Sequence, residues 1–157
     1  MDYFRAKRYL DTFPDWEKGK PFRGPLENYL PRMCALLKRL DNPQKRFRSI
    51  IVGGTNGKGT VSSLIADSLC GVGVSVGLYT SPHLHTERER VQINGNLLTK
   101  EVWTESIISL QNAIQDFERE DLGSLSRFEI LTGLAALAMA EANVKWGVFE
   151  VGLGGRF

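Results

Sequence analysis

An α/β fold with a parallel sheet flanked by helices is predicted by three short apolar strands and the helices that separate them. Residues 47–52 and 74–79 are mainly apolar, and a helical segment at residues 60–69 lies between them. Strand, crossover helix and strand in succession indicate parallel strands, because a parallel connection needs a crossover of a dozen or more residues. Residues 146–151 form a third apolar strand. We expect these strands to share one sheet.

A glycine-rich turn joins the first strand to the helix that follows it. Glycine lets the backbone approach a ligand closely, and the helix start offers unpaired N–H groups and a positive dipole end to an anion. Lys58 can reach outer phosphates, and the Thr60 hydroxyl can contact phosphate or Mg²⁺. The turn is therefore predicted to bind the phosphates of a nucleotide. Its four glycines stand at positions 53, 54, 57 and 59.

Two other interpretations of this turn are weaker. The spacing differs from the common G-x-x-x-x-G-K-[ST] pattern, because Gly59 separates Lys58 from Thr60. A plain glycine turn explains one or two glycines, but not four with a lysine. A dinucleotide-binding turn needs a third glycine where the chain has Ser62, and an acidic residue about 20 positions further on. The second strand ends in Tyr-Thr-Ser instead.

Composition predicts an ordinary globular domain and excludes several classes of partner. The 157 residues are 42% hydrophobic and 24% charged, with a formal net charge of +2. The sequence has no basic stripe with interleaved aromatic residues, so binding to nucleic acid is not implied. Cys34 and Cys70 lack the spacing of a metal site or of a redox pair. No apolar run approaches the length of a membrane span. We therefore expect a cytoplasmic protein.

The N-terminal residues are predicted to be helical and to pack on the core. Residues 3–10 favour a short helix, and residues 26–40 carry apolar side chains at a 3.6-residue period. Pro31 suits a first-turn position, so the regular helix is expected to begin there. We predict a helical lead-in over residues 1–48 and the N-terminal part of an ATP-binding domain over residues 49–157.

Two further helices are predicted between the second and third strands. Residues 98–120 form an amphipathic helix with Thr99 as its N-cap. Ser126 and Glu129 match a capping box, which predicts a helix over residues 130–142. The match gives Glu129 a structural role and leaves a ligand role as the alternative. The apolar stripe of the first of these helices lies at positions 103, 107, 110, 114 and 117.

Glu150 is the strongest candidate for a metal ligand. It ends an otherwise apolar strand, where a carboxylate is costly to bury unless it is paired or bound to a metal. Phosphoryl-transfer sites place such an acid at the end of a neighbouring strand to hold Mg²⁺. The alternative is a glutamate at the strand edge in contact with water.

A polar loop is predicted over residues 80–98, after the carboxyl end of the second strand, where open α/β sheets bind ligands. Ser81 could reach the same ion as the phosphate loop, or could be a turn serine before proline. His83 and His85 suggest a zinc pair only weakly, because no softer third ligand accompanies them. The charged run that ends at Arg90 could equally be a solvated cluster.

Four stretches together resemble one known family. The turn over residues 54–60 resembles the phosphate loop of folylpolyglutamate synthases and dihydrofolate synthases, in the Mur ligase superfamily. Residues 80–84, 89–91 and 150–156 resemble further motifs of that family in the expected order. Phe128-Glu129 followed by Leu-Thr also fits. The resemblance extends from about residue 9 to the last residue.

The resemblance implies a P-loop NTPase-like sheet of the Mur ligase ATPase type, incomplete in this chain. It implies ATP and Mg²⁺ as cofactors, with Lys58 catalytic and Ser81, Glu150 and Thr60 on the metal. It also implies a site for the folate substrate near His83, Leu84, Arg90 and Phe128. The residues expected to contact the nucleotide are Gly54, Thr55, Asn56, Gly57, Lys58, Gly59 and Thr60.

In the resembled family, ATP activates a carboxylate as an acyl phosphate, and the amine of L-glutamate attacks it to form an amide. The acceptor is a folate or dihydropteroate, and the sequence does not separate the two activities. The chain ends within a motif, so a truncated, non-catalytic nucleotide-binding module is the alternative. A non-folate Mur-type ligase is disfavoured by Gly59. An open edge of a three-stranded parallel sheet favours self-association.

Overall fold

The computed structural model describes residues 1–15, 29–115, 117 and 123–152. The chain divides into two compact units. The helical unit comprises Met1–Asn42 and Lys100–Leu134, and the sheet unit comprises Pro43–Thr99 and Ala135–Phe157. The predicted boundary between residues 48 and 49 stays a prediction. Among the described residues, no helix is both long and apolar enough to cross a membrane.

The sheet unit contains a five-stranded mixed sheet in the order β1-β5-β2-β3-β4. Its first three strands in that order are parallel, and β3 and β4 continue the sheet in antiparallel fashion. The α/β class is confirmed, but the expectation of three parallel strands alone is wrong. The strands are β1 (Arg48–Val52), β2 (Val76–Tyr79), β3 (Val91–Ile93), β4 (Asn96–Leu97) and β5 (Trp146–Glu150).

The segment predicted as a polar loop contains the two antiparallel strands and a 3₁₀ turn over Glu87–Arg90. Asn94 and Gly95 form the two-residue connection of the hairpin, and both have positive φ, at 50° and 75°. Asn-Gly is the preferred sequence for a two-residue hairpin turn, because both central residues of a type I′ turn need positive φ. The prediction of an irregular loop was therefore wrong, although the sequence carries the hairpin signal.

Helices cover both faces of the sheet. Val76, Leu78 and Val148 pack with Ala66 of α3 (Lys58–Gly71) on one face. Successive side chains of a strand alternate between faces. The glycines between these residues, the paired Gly77 and Gly147, lie against Met139 of α5 (Arg127–Glu141). A Cβ added at Gly77 would lie 2.7 Å from the Met139 sulfur, so the glycines allow this helix to approach the sheet closely.

The helical unit is built from α1 (Tyr3–Leu10), α2 (Tyr29–Arg39), α4 (Lys100–Ile114) and the first half of α5. The helix predicted at residues 3–10 is confirmed. Pro31 lies in the first turn of α2, but this helix begins two residues earlier than expected; residues 26–28 are outside the described part. The stripe predicted for the helix over residues 98–120 is buried at all five positions, of which the last lies beyond the end of α4: Trp103, Ile107, Leu110, Ile114 and Phe117.

Candidate nucleotide-binding site

The glycine-rich turn lies between the end of β1 and the start of α3. Gly54 and Gly57 have φ of 150° and 75°, which side chains other than glycine rarely adopt. Gly57 is the N-cap of α3 and offers no capping side chain, and the first turn holds no acidic residue. The first N–H groups of a helix lack intrahelical partners, so this end of α3 is suited to an anion.

Lys58 is folded back over the turn. Its Nζ donates to the carbonyl oxygen of Gly54 at 2.9 Å, and the side chain is half-buried. Thr60 lies on the first turn of α3 and is exposed. An ammonium group and a hydroxyl group therefore flank the backbone N–H groups at the start of α3.

Glu150 lies at the same edge of the sheet. It is the last residue of β5, pairs in register with Val52 at the end of β1, and is only 8% exposed. Its Oε2 accepts a hydrogen bond from the N–H of Ser81, just after β2, at 3.0 Å. The parallel strands β1, β5 and β2 thus bring the glycine-rich turn, the Glu150 carboxylate and Ser81 together.

Gly59 faces the Glu150 carboxylate. A Cβ added at Gly59 would lie 3.5 Å and 3.6 Å from the two carboxylate oxygens. Both distances are ordinary van der Waals contacts, so Gly59, the residue between Lys58 and Thr60 that sets this turn apart from the common spacing, lies directly beside the carboxylate.

The donor set at this edge fits magnesium. A carboxylate and two hydroxyl groups are hard oxygen ligands, and Mg²⁺ commonly uses one or two carboxylates together with water and substrate phosphates. Within the described ranges, no three or more His, Cys, Asp or Glu side chains form a cluster that could hold a metal ion. The assignment of Ser81, Thr60 and Glu150 to a metal stays a prediction.

The segment after Ser81 is held by side chains of the 3₁₀ turn. Glu89 accepts hydrogen bonds from the backbone N–H groups of Leu84, His85 and Thr86, at 2.8, 3.1 and 2.8 Å. The bonds from Leu84 and then Thr86 lower the pKa of Glu89 most. Thr86 and Glu89 form a capping box, which the sequence pattern T-x-x-E could have revealed.

The predicted substrate residues of this segment differ in exposure. Leu84 is 84% exposed, whereas Arg90 is only 3% exposed and donates from Nε to Nδ1 of His83 at 2.9 Å. Glu87 is also buried. The interpretation of the charged run as a solvated cluster is therefore wrong for Glu87 and Arg90.

Phe128 belongs to the helical unit, whereas the other predicted site residues belong to the sheet unit. It is half-buried in the first turn of α5. Its neighbour Glu129 forms the predicted capping box with Ser126 and an ion pair with Arg32 at 3.0 Å. The structural role of Glu129 is confirmed, and substrate contact by Phe128 stays a prediction.

Comparisons with known proteins point to one family. No family model matches the chain. The "Dihydrofolate synthase/folylpolyglutamate synthase" of Bacillus subtilis is 39% identical over 129 residues, covering 82% of this chain and 30% of that protein. A crystal structure of folylpolyglutamate synthase from Thermotoga maritima aligns with a TM-score of 0.84 and 37% identity, over 98% of this chain and 34% of that one.

A structure described as an FPGS–AMPPCP–folate complex aligns with a TM-score of 0.87 and 32% identity, over 99% of this chain and 36% of that one. The fold is that of a Mur ligase-type sheet domain. The chain belongs to the folylpolyglutamate synthase and dihydrofolate synthase family. It spans about a third of the length of the curated relatives that it matches.

Proposed function

We propose that the chain supplies the ATP- and magnesium-binding part of a ligase that adds L-glutamate to a folate or to dihydropteroate. The observation that carries the proposal is the meeting of the phosphate turn, Ser81 and Glu150 at one edge of the sheet. The substrate class comes from relatives named dihydrofolate synthase/folylpolyglutamate synthase and from a related complex with AMPPCP and folate.

In this proposal the turn over residues 54–60 surrounds the outer phosphates of ATP. Backbone N–H groups at the start of α3 bind the phosphate oxygens, and Lys58 moves from the Gly54 carbonyl to a phosphate. Hydrogen bonds between charged groups are roughly twice as strong as neutral ones, so this exchange favours the bound state. Lys58 is catalytic in the sense that it neutralises charge as the γ-phosphoryl group is transferred.

Glu150, Ser81 and Thr60 would hold magnesium beside the phosphates. The ion, when bound, neutralises charge on the phosphates and orients the γ-phosphoryl group. Glu150 is buried and anchored by the Ser81 N–H group, so its carboxylate is already fixed in place before nucleotide binds. Gly59 of the glycine-rich turn lies beside this carboxylate, where an added Cβ would be 3.5 Å from its nearer oxygen.

The reaction would proceed by two transfers. An oxygen of the acceptor carboxylate attacks the γ-phosphorus of ATP, the bond to the β,γ-bridging oxygen breaks, and ADP leaves. The amine of L-glutamate then attacks the acyl carbon, loses a proton and expels phosphate, which leaves an amide. We place the acceptor beside the segment of the sheet unit that carries His83, Leu84 and Arg90; contact by Phe128 stays a prediction from the sequence.

We also propose self-association through β1. Within the described sheet, β1 pairs only with β5, and its Ile51 side chain is 63% exposed. An exposed strand edge with apolar side chains is a template for pairing with another strand. A cytoplasmic location, expected from the sequence, stays a prediction.

Calorimetric titration of the full chain with Mg·ATP tests the nucleotide site. Lys58→Ala is expected to weaken binding about tenfold or more, because it removes a charge-assisted bond to phosphate. The matched control is Lys145→Ala, which removes an exposed lysine at the opposite end of β5. Equal affinity of wild type and Lys58→Ala would contradict the assignment.

Glu150→Gln separates the metal role from the phosphate role. The amide keeps the shape and can still accept from Ser81, but it is a poorer ligand for Mg²⁺. We expect weaker binding of Mg·ATP and little change for ATP in the presence of a chelator. Equal losses under both conditions would argue against a metal role. Nucleotide binding without amide formation from folate and glutamate would favour the non-catalytic module.

A further inference from the structure

A buried arginine donates a hydrogen bond to a histidine in the segment after β2. The Arg90 side chain is almost fully buried, and its Nε donates to Nδ1 of His83 at 2.9 Å. A guanidinium group has only donors and stays protonated in proteins. An Nδ1 atom that accepts this bond carries no proton, so a neutral ring in this arrangement would carry its proton on Nε2.

The backbone around this pair is fixed by the same 3₁₀ turn that carries Arg90. Glu89 accepts from the N–H groups of Leu84 and His85, the two residues that follow His83. The Thr80 N–H in turn donates to the Arg90 carbonyl at 3.0 Å. The chain on both sides of His83 is thus tied to the turn, which limits the directions that the ring can take.

We propose that Arg90 is a positioning residue that fixes His83 as the Nε2–H tautomer, a hydrogen-bond donor for an oxygen of the acceptor substrate. The part that concerns the acceptor rests on the function proposed above. Arg90 would then act through His83 rather than touch the substrate itself, in contrast to the expectation from the sequence. Because Nδ1 is occupied, His83 neither binds a metal nor accepts a proton at that atom.

Ring-nitrogen NMR of the ¹⁵N-labelled full chain tests the tautomer directly. The chain has two histidines, so the exposed His85 serves as an internal reference, and His85→Gln assigns the signals. Spectra are recorded well above the ordinary histidine pKa of about 6.5. We expect one tautomer for His83, with Nδ1 unprotonated, and an average of both tautomers for His85. An averaged or Nδ1-protonated His83 in the wild type would overturn the proposal.

Two substitutions test the cause. Arg90→Met removes the hydrogen-bond donor but keeps an unbranched side chain. His83 should then exchange between its two tautomers and give averaged signals, as His85 does. Arg90→Lys restores a donor and should recover part of the wild-type signal. A single Nε2–H tautomer retained in Arg90→Met would show that Arg90 does not set it. If Arg90→Met fails to fold, the wild-type spectrum alone still decides the tautomer.

Titration with folate in the presence of Mg·ATP tests the substrate role. We expect the His83 Nε2 signal to shift on binding, and Arg90→Met to bind folate about tenfold more weakly with unchanged Mg·ATP affinity. A fixed tautomer without any folate response would overturn the donor role. Failure of the nucleotide site would appear in calorimetry and would leave the tautomer measured in the free protein unaffected, so the two failures can be told apart.

Discussion

Removal of the Glu129 carboxylate is expected to destabilise the helical unit strongly. One carboxylate oxygen accepts from Nε of Arg32 at 3.0 Å, and the other accepts from the N–H and hydroxyl of Ser126 at 2.8 and 2.7 Å. The side chains of Arg32 and Glu129 are only 1% and 7% exposed. The carboxylate therefore neutralises a buried cation and caps α5 at the same time.

The magnitude follows from these two roles. Loss of one partner of a buried ion pair costs about 3–5 kcal/mol, because the other charge stays buried without compensation. Loss of a helix cap costs about 1 kcal/mol. The two terms share one side chain and overlap, so we expect Glu129→Ala to lower the free energy of unfolding by about 4 kcal/mol. The control Glu105→Ala removes an exposed glutamate of α4 and should change it by less than about 0.5 kcal/mol.

Urea unfolding followed by circular dichroism measures both variants. The double variant Arg32→Met/Glu129→Leu should recover most of the loss, since apolar residues of similar volume often replace a buried ion pair without penalty. The double variant also keeps the test decisive if Glu129→Ala does not fold. A midpoint of Glu129→Ala equal to that of Glu105→Ala, or a double variant less stable than the single one, would refute the reasoning.

Two further predictions concern the sheet unit. Hydrogen bonds from Leu84 and Thr86 lower the pKa of Glu89, so its carboxylate stabilises the fold above its ordinary pKa of 4.5. This gain in stability is lost as pH falls through the lowered pKa of Glu89. Acid-unfolding curves of Glu89→Gln and wild type should therefore converge at low pH. A difference in stability between the two that stays constant with pH would contradict this prediction. Ile51→Lys should reduce any dimer seen by sedimentation velocity, because a lysine blocks edge pairing. If the variant forms the same dimer as the wild type, the β1 edge is not the dimer interface.

The sequence by itself determined the features that depend on neighbours along the chain. The glycine-rich turn before α3, the apolar stripe of the helix that follows β4 and the capping box of Ser126 and Glu129 each repeat a local rule of spacing, and the structure has all three. The Asn94-Gly95 hairpin and the Thr86–Glu89 capping box were equally local, and their signals were present in the sequence although the prediction of an irregular loop missed them.

Only the tertiary structure decided which distant residues meet. No local pattern places β5 between β1 and β2, because strand order depends on how α5 packs across the sheet. Arg32 and Glu129 lie 97 positions apart, and Ser81 and Glu150 lie 69 apart. The capping pattern predicted one partner of Glu129, but its buried cation comes from another helix. The carboxylate of Glu150 likewise meets Ser81 and Gly59 only because parallel strands end at one edge of the sheet.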